Sequence, residues 1–73
     1  MTLYEAVEGV EYIISAIETD DDELDDFLFS LGCYEGEPIT VISRARKNCT
    51  VSIKDARYSI DSQLAHAIMI TQK

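Results

Sequence analysis

The apolar positions of this 73-residue chain change period along its length, and each change marks an element. Residues 12–17, YIISAI, are rich in β-branched side chains and too short for a typical helix, which predicts a strand covered in part on both faces. Between residues 20 and 31 the period lengthens. Leu24, Phe27, Leu28 and Leu31 follow i, i+3, i+4, i+7, which stacks them on one side of a helix, where Leu24, Phe27 and Leu28 are expected to seal the core. Gly32 stands just past the last periodic position, where a left-handed residue closes a helix. Thr19 or Asp20 is expected to cap the free amides at the other end.

From residue 38 onward the period is two. Ile39 and Val41 share one face of a strand over 38–45, Val51 and Ile53 alternate with Thr50, Ser52 and Lys54, and Tyr58 and Ile60 alternate with Arg57, Ser59 and Asp61. These are half-exposed antiparallel strands. The connections at 46–48 and 54–57 are short and polar, so the three strands form a meander. Residues 62–66, SQLAH, read as one capped helical turn, and 67–70, AIMI, as a last short strand. Residues 1–73 therefore predict a single all-β domain with one inserted helix after the first strand. About five antiparallel strands close into a small barrel, which removes exposed edges.

Composition narrows the function. The hydrophobic fraction of 47% is ordinary for a globular domain, and no apolar run approaches the roughly 18 residues that a membrane span needs. The N-terminal stretch MTLYEAVEGVEY has no basic flank or small-residue cleavage site, so a cytoplasmic location is expected. In that compartment Cys33 and Cys49 read as reduced, half-buried thiols, and the Asn48-Cys49-Thr50 glycosylation pattern carries no meaning. Charge is two-sided. Residues 1–43 hold twelve acids and no base, and residues 44–73 hold six bases and two acids, for a net charge of −8. Such a balance argues against unspecific nucleic-acid binding and against adhesion to anionic lipid, both of which need clustered cations.

The stretch LGCYEGEPITVI at 31–42 resembles the "LG, two residues, variable, G, two residues, I, x, V, I" signature of the ferrous iron transport protein A family, FeoA. Two further pieces agree in order and spacing. Leu3 through Gly9 followed by the 13–17 strand is similar to the family's opening, and LAHAIMI at 64–70 is similar to its closing segment, with Ile70 in the valine place. The resemblance implies a Src-homology-3-like barrel with a helix after the first strand. It also implies a non-catalytic cytoplasmic accessory of ferrous iron uptake that acts by contact with FeoB, the membrane GTPase transporter. A related barrel forms the C-terminal domain of iron-dependent repressors, so a transition-metal-binding regulatory domain is the alternative reading. The chain begins at Met1 without a winged-helix segment, which favours the stand-alone accessory. It departs from the family in its helix, often basic there, where this chain carries six carboxylates between Asp20 and Asp26 and places Phe27 where a base is frequent.

Candidate chemistry is sparse. No nucleophile has a recognisable paired base, no glycine loop cradles phosphate, and His66 is the one histidine, so no enzyme is expected. His66 reads as a partly exposed residue near a helix end. Transition-metal ligands would have to come from Cys33, Cys49 and His66, which lack any paired spacing, and the acidic run lacks the alternation and glycine of a calcium loop. Metal ligands are therefore unassigned, no cofactor is expected, and the acids permit at most loose binding of divalent cations. Phe29 falls about 140° around the helix from Leu24, off the apolar stripe. Either the Leu3, Tyr4 and Val7 segment covers it, or it faces a partner. Tyr34, at the helix exit, invites the same two readings. Arg44, Arg46 and Lys47 are either solvated hairpin charges or a docking patch for an acidic partner.

Overall fold

The computed structural model describes residues Met1–Lys73 and contains five strands: β1 (Glu11–Ile17), β2 (Pro38–Arg44), β3 (Asn48–Ile53), β4 (Ala56–Asp61) and β5 (Ile68–Gln72). Helix α1 (Asp22–Ser30) follows β1, helix α2 (Ser62–Ala67) joins β4 to β5, and a 3-10 turn at Leu3–Glu5 precedes β1. All strand pairs are antiparallel, in the order β4-β3-β2-β1-β5, so β2, β3 and β4 form the expected meander. Register shifts between Ile14 and Ala16 in β1 and between Val41 and Ser43 in β2 bend these strands. Such bulges increase local twist and let a short sheet curl around its own core. The hydrogen-bonded ladder stays open between β4 and β5. The curl shields the core without a closing ladder.

The alternation read from the sequence decides which side chains are inside. Ile39 and Val41 of β2, Cys49, Val51 and Ile53 of β3, Ile60 of β4 and Ile68 and Ile70 of β5 are all buried. Both thiols lie deeper than half-buried: Cys33 and Cys49 are 1% and 0% exposed. Cys49 sits on the inward parity of β3, and Cys33 follows the helix stop directly, so each fills core volume as a small hydrophobe.

The β3–β4 connection is tighter than its sequence suggests. Ile53 pairs with Ala56, leaving Lys54 and Asp55 as a two-residue turn with φ of 49° and 66°. Positive φ at both central positions defines the mirror-image turn that matches strand twist, usually built from Asn-Gly. Here a lysine and an aspartate accept the left-handed conformation, and Ala56 and Arg57 belong to β4.

Helix α1 differs most from expectation. Asp21, rather than Thr19 or Asp20, is the cap, and its carboxylate accepts from the Glu23 and Leu24 amides at 2.9 and 3.3 Å. Asp20 is displaced from that role by its own left-handed backbone, φ 57°, and the Thr19 hydroxyl is engaged by the Asp21 amide and the Asp25 carboxylate. At the far end Gly32 takes φ 88°, its N–H donates to the Phe29 carbonyl at 3.0 Å, and the Cys33 N–H donates to the Leu28 carbonyl at 2.9 Å. This paired closure is the stop that the glycine predicts. The apolar stripe is buried at one point. Leu28 is 1% exposed, but Leu24 is 39% and Phe27 50% exposed, so these two do not seal the core. The period places residues on a helix face; it does not say how long a stretch of that face meets the core.

The first ten residues form a strap over the outer side of β5 and the rim of β2. The Ile70 N–H donates to the Met1 carbonyl at 2.8 Å, Thr2 bridges Met69, and the Gly9 N–H donates to the Val41 carbonyl at 2.8 Å. Leu3 and Ala6 enter the core from this strap, 0% and 1% exposed. Tyr12 is buried with its hydroxyl satisfied by the Val7 N–H at 3.1 Å.

Candidate functional site

One corner of the molecule gathers an aromatic pair and an ion pair from four separate segments. Phe29 comes from the last turn of α1, Tyr34 from the loop that follows Gly32, Glu37 from the residue before β2, and Lys54 from the left-handed β3–β4 turn. The Phe29 and Tyr34 rings lie 4.9 Å apart between centroids at 32°. The Lys54 ammonium stands 5.4 Å from the centre of the Tyr34 ring, within cation–π range, and forms an ion pair with Glu37. Gly32 makes this approach possible: a Cβ there would stand 2.7 Å from the Lys54 Cδ. The lysine stem therefore lies across a glycine that the helix stop already requires.

The electrostatics follow from these contacts. The hydrogen bond from Lys54 holds the Glu37 carboxyl below its ordinary range, with Tyr34 adding in the same direction, and Glu37 in turn raises Lys54. Both groups stay charged at neutral pH and orient one another beside the aromatic pair. Phe29 remains 66% exposed. The N-terminal segment does not cover it, because Leu3 is in the core, Val7 faces water and Tyr4 stacks on His66 with centroids 4.5 Å apart.

The five residues singled out in the sequence thus fall into separate places. Phe29 and Tyr34 meet; Arg44, Arg46 and Lys47 lie at the opposite end of β2, roughly 20 Å along the strand from Pro38 by the rise per residue. Arg44 clamps the strap. Its Nη1 donates to the carbonyls of Tyr4 at 2.9 Å and Ala6 at 2.6 Å, its backbone N–H donates to Glu8 at 2.7 Å, and its guanidinium lies 5.6 Å from the Tyr4 ring centre. Arg46 and Lys47 are exposed at the β2–β3 hairpin. Glu37 and Lys54 were missed by sequence reasoning, since their meeting depends on the conformation of a turn that lacks the usual glycine or asparagine.

Metal chemistry has little to build on. No three His, Cys, Asp or Glu side chains converge on a common point, and Cys33 and Cys49 are buried while His66 is exposed with its Nδ1 2.7 Å from the Ser62 carbonyl. The donor set does not fit a transition-metal centre held by one copy of the chain. Burial pushes the Cys33 thiol up to about 11 and raises Cys49 as well, the latter offset in part by Arg44. A thiolate is the reactive form. At about pH 8 native protein is therefore expected to resist iodoacetamide while urea-unfolded protein takes two labels, read by mass spectrometry; native labelling at the unfolded rate would contradict the burial. Because the folded Cys33 value exceeds the unfolded one, about 8.5, its contribution to stability is intact below that pH and is lost as pH rises toward 11.

A concavity of about 310 Å³ lies between the start of α1 and α2 and is lined by Glu18, Thr19, Leu24, Asp61, Gln63, Leu64 and Ala67. No helix of the chain is long and apolar enough to cross a membrane.

Comparison with known proteins places this arrangement. The fold is similar to that of a manganese-dependent transcriptional repressor, at a TM-score of 0.90 and 20% identity over 100% of this chain and 41% of that one. It is similar to iron(II) transport protein A from Clostridium thermocellum, at 0.87 and 25% identity, over 96% of this chain and 44% of that one. The chain thus spans less than half the length of either. The zinc-complexed FeoA of Stenotrophomonas maltophilia, described as a prokaryotic Src-homology-3 domain protein, matches at 0.84 and 17% identity over 97% of this chain and 89% of that one. No curated protein matches the chain. The FeoA domain family matches residues 1–72, from the strap through β5, and with the barrel, the inserted helix and the glycine stop in place, this chain belongs to that family.

Proposed function

We propose that the chain is a non-catalytic accessory of ferrous iron uptake that docks on the cytoplasmic part of a FeoB-type membrane GTPase through the corner formed by Phe29 and Tyr34. The observation that carries this reading is that the chain has two phenylalanines and both are in water, Phe27 at 50% and Phe29 at 66% exposure. A domain this small needs its largest apolar side chains for its core. Two withheld from it on one helix, Phe29 with its ring against Tyr34, mark surface whose burial comes from elsewhere, and aromatic side chains are enriched in interface cores. Membership of the FeoA family and the likeness to iron(II) transport protein A support the iron-uptake setting. The Lys54–Glu37 pair gives the corner a fixed polar rim beside the rings. The acidic α1 points to a basic or neutral surface on the partner.

The test is capture of the cytoplasmic part of a FeoB-type transporter by the purified chain, with and without Fe(II) and Mn(II). Wild type is expected to bind, and Phe29→Ala, at an exposed position, is expected to weaken binding about tenfold or more with an unchanged melting temperature. Absence of capture under every metal condition removes the accessory reading. Micromolar metal binding lost on replacing Cys33, Cys49 or His66 would turn the conclusion to a metal-responsive regulator.

A further inference from the structure

We infer that the groove between the start of α1 and α2 is a second docking surface, which seats one apolar side chain of a protein segment whose neighbouring positions carry lysine or arginine. The floor is apolar, formed by Leu24, Leu64 and Ala67, and the rim carries Glu18 and Asp61 with no base anywhere on the lining. Leu24 is the informative residue. It shares its helix face with Leu28, four positions on, and that face is buried at Leu28 and 39% exposed at Leu24. An amphipathic stripe therefore continues past the edge of the core and opens onto a space of about 310 Å³, near the lower end of the range for binding pockets.

Charge decides what brings it. Thr19 and Leu24 bracket Asp20, Asp21, Asp22 and Glu23, so the acids of the helix start extend the Glu18 side of the rim. The Asp61 carboxylate accepts from the Leu64 N–H at 2.7 Å, which holds it at the opposite side. An apolar side chain flanked by cations is complementary to such a groove, whereas nucleic acid and anionic lipid are repelled by it. This chain does not supply the occupant. Lys73, past the far end of β5, stands roughly 20 Å from Ala67 along the strand and pairs with Glu11. The inference is independent of the transporter reading, because the groove and Phe29 lie about 140° apart around α1.

The experiment is an amide NMR titration of the full chain with a short peptide of one leucine between pairs of lysines, a copy with serine for leucine, and a copy with glutamate for lysine. The first peptide is expected to shift the amides of Leu24, Gln63, Leu64 and Ala67 saturably, with Kd of about 1 mM or tighter, and each copy to bind at least about tenfold more weakly. Leu24→Gln and Glu18→Lys, both at surface positions, are each expected to weaken the first peptide about tenfold without lowering the melting temperature, and Phe29→Ala to leave it unchanged. Shifts spread over the acidic surface and kept by the serine peptide, shifts centred on Phe29, or no saturation would each overturn the inference. Because Phe29→Ala separates the two surfaces, loss of transporter capture in that variant alone says nothing against the groove.

Discussion

Leu28→Ala is expected to lower the unfolding free energy by about 3 kcal/mol, the usual cost of removing a fully buried leucine and leaving its cavity. For a chain of this length the total is roughly 4 to 11 kcal/mol, so the single change removes a large share of it. The effect is concentrated because α1 reaches the core through this one side chain, the helix's only buried residue. Urea unfolding at 25 °C measures it, and the melting temperature should fall by roughly 15 °C. The control is Phe27→Ala, one position earlier and half exposed, which is expected to stay within about 0.5 kcal/mol of wild type. Equal losses in the two variants would mean that α1 docks on a broader face than the one described.

Arg44→Ala is expected to cost about 2 kcal/mol. Hydrogen bonds from a charged group contribute about 1.5–3 kcal/mol, and the Arg44 guanidinium serves the carbonyls of both Tyr4 and Ala6. Both carbonyls belong to the strap, whose Leu3 and Ala6 enter the core. Loosening the strap exposes its one hydrogen bond to β5, so exchange of the Ile70 amide, which donates to Met1, should accelerate more than exchange at Val51 in the middle of the meander. Both bonds leave one nitrogen, Nη1, and an ammonium has donors for two carbonyls, so Arg44→Lys should recover part of the loss. Uniform acceleration across all strands would show that Arg44 supports the whole barrel rather than the strap.

The strands and their inward faces are readable in the sequence because an alternating pattern has only two solutions, and Ile39, Val41, Val51 and Ile53 all choose the same one. The stop at Gly32 is readable for a similar reason, since few residues other than glycine take φ 88° without strain. The helix face was not. Leu24, Phe27, Leu28 and Leu31 have the right angular spacing, but spacing carries no information on how far the barrel extends beneath them. The cap moved from Thr19 or Asp20 to Asp21 because three adjacent aspartates compete for one role and backbone geometry at Asp20 decides it. Of the candidate site, Phe29 and Tyr34 were found by their position off the stripe and at the helix exit. Glu37 and Lys54 were not, because a left-handed Lys54-Asp55 turn has no compositional signature. Arg44 was singled out for its charge, whereas its role comes from a strap that folds back across about forty residues of sequence.

The acidic run on α1 has a consequence for the protein as a substance in solution. A helix that turns two phenylalanines toward water offers apolar surface to other copies of itself as well as to a partner. The six carboxylates that crowd the same short segment give every copy a like-charged collar around its adhesive face. One segment then carries both terms: bringing two copies together at α1 sets their carboxylates against one another, a cost that a surface of opposite charge does not meet.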